Sequence, residues 1–172
     1  YCVHMLSGKC EVCREFCQAD AIDYGQKERK TDLNVGAVII APGYDLFHAD
    51  KKKEYGYDRY PNVVTALEFE RILSTTGPYL GQVLRPSDSK HPKRIAFIQC
   101  FGSRDKDHNY CSSVCCMYAT KEAIIAKEHV KEGLECDIFY IDIRAYGKGF
   151  EDYYERAKKL GVRYIKCKPS SI

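Results

Sequence analysis

Cys100, Cys111, Cys115 and Cys116 fall within the stretch FIQCFGSRDKDHNYCSSVCCMYATKEAIIAKEH, which reads as a strand, an irregular loop and the start of a helix. Four thiols at such a junction constrain the fold more than any other feature, because the loop must gather them and a ligand must satisfy them. Zinc sites usually take cysteine pairs two to four residues apart, and the adjacent Cys115 and Cys116 point awkwardly at one tetrahedral ion. An iron-sulfur cubane offers four separate irons and accepts the wider geometry, so a [4Fe-4S] cluster is the leading reading. A vicinal disulfide, buried apolar thiols and a four-cysteine zinc site are the alternatives.

Compartment bears on that choice. Ten cysteines accompany two methionines and no tryptophan in 172 residues, and no segment resembles a signal peptide. The expected location is cytoplasmic and reducing, where clustered cysteines favour metal over disulfide. The runs VGAVIIAPG and KRIAFIQC are too short to span a bilayer, so no transmembrane segment is expected. Net charge is +3 with the signs interspersed, and the short basic runs read as solvated surface, so no nucleic-acid partner is expected. The chain begins at Tyr1, which suggests a piece of something larger.

Three segments follow along the chain. Residues 1–24 are cysteine-rich, carry little periodicity, and read as a cofactor-organised, partial ferredoxin-like segment without a core of its own. In residues 25–92, Val35 to Ala41 is a continuous β-rich run closed by Pro42-Gly43, which predicts a strand buried on both faces. A short helix follows Pro61-Asn62, with Val64, Leu67, Ile72 and Leu73 near one stripe, and Gly77 to Pro92 reads as a linker or long loop. Residues 93–172 become regular: strand 94–99, helix 112–129, strand 137–142, helix 150–160 and strand 162–166, with Gly161 as a helix stop. This βαβαβ order predicts an α/β, Rossmann-like parallel sheet with right-handed crossovers.

In a dinucleotide-binding domain the turn after the first strand is glycine-rich. Here that turn reads Cys100-Phe101-Gly102-Ser103-Arg104 and no GxGxxG occurs, so cysteines take the place of the nucleotide pocket. Cys115 and Cys116 fall in the first turn of the next helix, where unpaired N–H groups and the dipole favour an anionic cluster. Upstream, Cys10, Cys13 and Cys17 match the last three cysteines of the C-x2-C-x2-C-x3-C-P ferredoxin pattern, with Ser7 and Gln18 as departures. They read as a second, partial cluster site, with Cys2 or missing upstream cysteines as the source of a fourth ligand and free thiols in a tail as the alternative. Cys136 and Cys167 lack partners at ligand spacing and read as core; Asp142 and Arg144 read as structural. No catalytic residue is assigned. A thiol-disulfide oxidoreductase using Cys115 and Cys116 is a further competing class.

Together these residues resemble the A subunit of heterodisulfide reductase and related electron-transfer flavoproteins of sulfate reducers. The similarity runs through Ala19 to Tyr24, Val38 to Asp45, Tyr60 to Arg71, the block CSSVCCMYA, and Phe139 to Gly149. The resemblance implies a thioredoxin-reductase-like flavoprotein with an inserted ferredoxin module, a [4Fe-4S] cluster at the four-cysteine set, and FAD in the full-length protein. It implies partners among other subunits of that kind, hydrogenase or dehydrogenase, and ferredoxin. Ala41-Pro42-Gly43 corresponds to a flavin-side turn of that family with Pro42 replacing Thr, which leaves Gly43 as the backbone position facing the cofactor. The family's glycine-rich FAD fingerprint does not occur here, which reads as the central part of a longer polypeptide.

Overall fold

The computed structural model describes residues 2–130 and 133–172. They form two compact units that divide between Gly43 and Tyr44. The first holds two short helices, α1 (Val3–Ser7) and α2 (Val12–Glu15). Gly8 ends α1 at φ +69°, its N–H donating to the His4 carbonyl at 2.7 Å. No described side chain of this unit is buried, so apolar packing contributes little to its order.

The predicted strand at Val35 to Ala41 does not form. Ile39 is 93% exposed, and no backbone ladder engages the run. A strand buried on both faces needs hydrogen-bonded neighbours, and the three strands of the described residues pair only with one another.

The second unit is α/β and Rossmann-like. Strands β1 (Arg94–Ile98), β2 (Glu135–Tyr140) and β3 (Val162–Lys166) form a parallel sheet in the order β1-β2-β3, joined by helices α4 (Cys115–His129) and α5 (Phe150–Lys159). Register places Phe97 beside Ile138, and Cys136 beside Val162, on the face that enters the core. On the opposite face Arg94, Glu135, Arg163 and Asp137 join in ion pairs, which satisfy the buried Asp137 carboxylate. Beyond α5, Gly161 turns the chain into β3 at φ +82°.

Helix α3 (Ala66–Leu73) opens with a capping box: the Thr65 hydroxyl accepts from Glu68 N–H, and the Glu68 carboxylate accepts from Thr65 N–H at 2.6 Å. Its buried side chains are Phe69, Ile72 and Leu73, and Phe69 meets Phe97 edge to face. Leu67 points outward at 50% exposure, against the stripe expected from the sequence, because Phe69 occupies the inward turn. The segment after α3, read as a linker, packs: Val83 is 1% exposed and belongs to the same core as Ile72 and Ile138.

Helix α4 is central. Its Ala119, Ala123 and Ala126 are buried, and small residues let the sheet and α5, through Ala157, approach closely. Among the described residues no helix is long and apolar enough to cross a membrane.

Candidate metal centre

The sheet's carboxyl edge builds the site. Gln99 continues the β1 ladder by donating to the Phe139 carbonyl at 2.9 Å, and the chain then breaks at Cys100 with φ +59°. Arg104 at +53° and Ser113 at +63° repeat the left-handed conformation in the same loop. Each costs about 1–2 kcal/mol in a residue with a Cβ, a local cost carried by the loop that brings Cys100 back toward the start of α4. Gly102 at φ +70° lies under the Phe47 ring, where an added Cβ would collide with the ring carbons. Phe47 also meets Phe101 and His108 edge to face.

Polar contacts hold the rest of the loop. Arg104 N–H donates to the Tyr110 carbonyl at 3.0 Å. The Asp105 carboxylate accepts from the backbone N–H of Asp107 and His108 and pairs with Lys52 at 3.1 Å. These contacts hold the Asp105 pKa down, to about 2, with the His108 N–H first among the causes. Ser113 turns the chain, so α4 begins at Cys115, three residues later than the periodicity suggests.

The turn gathers thiols. Cys100, Cys115 and Cys116 are 5%, 9% and 3% exposed, while Cys111 is half-buried. Cys115 and Cys116 occupy the first two positions of α4, where backbone N–H groups lack intrahelical acceptors. Hydrogen bonding from the Cys116 thiol lowers the Cys115 pKa against burial, with Ser112 and the Cys100 and Cys116 N–H groups adding to it. The same contact raises Cys116. Cys100 is raised by burial first, then by Cys115, with Arg104 opposing.

All ten cysteines are free. Among the described residues no three His, Cys, Asp or Glu side chains converge on one point where a single ion would sit. The donor chemistry nonetheless suits a thiolate-bound cluster: three enclosed thiols, a fourth at the loop's edge, and N–H groups directed at sulfur.

In the first unit, Cys10 and Cys17 are half-buried and Cys13 is exposed. The Cys13 thiol and the Tyr24 hydroxyl hydrogen-bond at 2.7 Å, which pushes the Tyr24 pKa up to about 12. Cys2 and Cys10 also act on Tyr24, so these thiols share its neighbourhood. Cys17 accepts the Ala21 N–H at 3.3 Å and is lowered by Ala21 and Ala19. His4 stacks on Tyr24 at 3.6 Å and donates through Nδ1 to the Cys10 carbonyl at 2.9 Å.

The remaining predicted positions separate. Cys136 is fully buried in the core, whereas Cys167, read as core, is exposed past the end of β3. Gly43 holds φ +78° at the end of the first unit. Asp142 is engaged by Arg104 and Arg144, which leaves no free carboxylate for a ribose. No local pattern in the sequence signals the Arg104 contact, since its partner lies 38 residues away.

No protein-family model matches the chain. Individual proteins do. It is 51% identical over 157 residues to the second iron-sulfur A subunit of the CoB–CoM heterodisulfide reductase of Methanopyrus kandleri, covering 90% of this chain and 24% of that protein. It is 48% identical over 167 residues to the iron-sulfur A subunit of the CoB–CoM heterodisulfide reductase of Methanocaldococcus jannaschii, covering 95% of this chain and 25% of the relative. With the A subunit of the H(2):CoB-CoM heterodisulfide,ferredoxin reductase of Methanothermobacter thermautotrophicus it shares 43% identity over 175 residues, covering 100% of this chain and 26% of the relative. The chain thus spans about a quarter of the length of these relatives.

Proposed function

We propose a function from one premise: over the stretch shared with those relatives, the chain belongs to the family of heterodisulfide reductase A subunits. Its role is electron relay within a longer iron-sulfur flavoprotein oxidoreductase. The observation that carries this reading is the placement of buried Cys100 just past β1 and of buried Cys115 and Cys116 in the first turn of α4, with half-buried Cys111 in the loop between them. The Methanopyrus and Methanocaldococcus relatives are iron-sulfur subunits by name, which supports a cluster at this donor set. A bound [4Fe-4S] cluster would supply one-electron storage without bond making at the protein. The chain's own part is to hold four thiolates, exclude water over three of them, and direct N–H groups at sulfur.

Cys10, Cys13 and Cys17 form a second thiolate site in the same reading, with Tyr24 and His4 bracing it. FAD belongs to the full-length protein, with Gly43 the position of this chain nearest to it in role. Other subunits of the same kind, a hydrogenase or dehydrogenase, and ferredoxin are the partners in this reading, which one relative's name as a heterodisulfide,ferredoxin reductase supports for ferredoxin. No residue here is assigned acid, base or nucleophile chemistry.

Anaerobic reconstitution tests the reading. The expected product is a brown protein with iron and sulfide in equal amounts, and Cys111→Ser should lower the iron content. A colourless protein holding stoichiometric zinc would refute relay and leave a structural metal domain.

A further inference from the structure

The loop between Cys100 and Cys111 carries a guanidinium paired with a carboxylate from beyond β2. Arg104 Nη1 donates to Asp142 Oδ1 at 2.6 Å, with the arginine side chain 25% exposed. The same carboxylate oxygen accepts from Arg144 Nε at 3.0 Å. The Cys116 sulfur lies 3.7 Å from the Asp142 carbonyl oxygen. Asp142 therefore touches the thiol set through its backbone and the loop's arginine through its side chain. Arg104 is fixed along its own backbone as well: its N–H meets the Tyr110 carbonyl, and its carbonyl accepts from Lys168 Nζ at 3.4 Å. The backbone contacts fix where the arginine leaves the loop, and the pair with Asp142 fixes where its guanidinium lies.

We propose that Arg104, oriented by Asp142, is a positioning residue that sets the reduction potential of the cluster held by Cys100, Cys111, Cys115 and Cys116. The inference rests on the reading that these thiols hold an iron-sulfur cluster. One-electron reduction adds one negative charge to the site; the electron comes from a low-potential donor, and no bond forms or breaks. A fixed positive charge nearby favours the reduced form, and the Asp142 carboxylate partly cancels it. Arg104 follows Cys100 in the same loop, and the carbonyl of its partner Asp142 lies 3.7 Å from the Cys116 sulfur, which puts the charge on the thiols' side of the loop. The arginine, Asp142 and Arg144 together leave one net positive charge beside the thiols. Removing the arginine and removing the carboxylate should therefore move the potential in opposite directions, which a merely structural brace would not do.

An anaerobic redox titration of the reconstituted full chain, followed by electron paramagnetic resonance, tests this alongside iron and sulfide content. Arg104→Gln should disfavour the reduced form about tenfold, a shift of ~59 mV to more negative potential for one electron. Asp142→Asn, which keeps an acceptor oxygen but removes the charge, should shift the potential positive. Arg104→Lys should restore much of what Arg104→Gln loses. At wild-type iron content, equal potentials in all variants, or shifts of one sign in both Arg104→Gln and Asp142→Asn, would overturn the proposal. Should Arg104→Gln fail to assemble a cluster, Asp142→Asn decides alone, and an unmoved or lowered potential overturns it. A wild-type chain without iron and sulfide would sink the relay reading and this inference together; a loaded wild type with unmoved variants would sink this inference only.

Discussion

In the unit that ends at Gly43, Cys13 sits on the four-residue α2, Cys2, Cys10 and Cys17 lie outside its two short helices, and no described side chain is buried, whereas Cys100, Cys115 and Cys116 lie where a parallel sheet meets the 15-residue helix α4. The first arrangement depends on contacts of shorter sequence span: His4 on Tyr24, Tyr24 on Cys13, Ala21 on Cys17. The second depends on contacts between distant segments, such as Arg104 with Asp142 and Phe47 against Gly102. The difference separates two ways of building a thiol site. One lets the bound group supply the ordering energy, and the other has the polypeptide core supply it beforehand.

Removing metal should break the two units apart most clearly. After anaerobic chelation, amide exchange in residues 2–43 should become unprotected, while β1, β2 and α4 keep their protection; equal loss in both would erase the contrast. Core truncation gives the next largest effect. Ile138, fully buried at the centre of the sheet, should cost about 2–5 kcal/mol on replacement by Ala. Phe16→Ala in the first unit, 80% exposed, should leave urea unfolding of the second unit unchanged.

A smaller effect sharpens the view of α4. Glu122 is 2% exposed with Oε2 unpartnered among the described residues, and burial first, then Glu70, raises its pKa from 4.5 to about 8, with Lys121 opposing. The folded state keeps its proton over that interval while the unfolded chain has lost it. Stability therefore falls as pH rises from about 4.5 to about 8. Glu122→Gln should remove this slope and stabilise the chain at pH 8 by on the order of 2 kcal/mol, read from urea midpoints at pH 5 and pH 8.

Much of the second unit was legible in the sequence because its strands and helices carry their own periods and stops. The apolar β1, the alanine-rich α4 and Gly161 mark their places without tertiary information. What was not legible depended on partners. Val35 to Ala41 has strand composition but no hydrogen-bonded neighbour in the described residues, and composition cannot report a missing neighbour. The late start of α4 follows from the left-handed Ser113, a conformation that serine seldom takes and no local pattern announces. The four cysteines were visible at once, but the charge beside them was not. Arg104 and Asp142 meet only after β2 has paired with β1.

Three of the four clustered thiols are enclosed and Cys111 is left half open at the loop's edge. The site thus has a front and a back. Any oxidant or chelator arriving from water meets Cys111 first, so damage to the centre should begin at that sulfur and spread inward rather than strike the four alike.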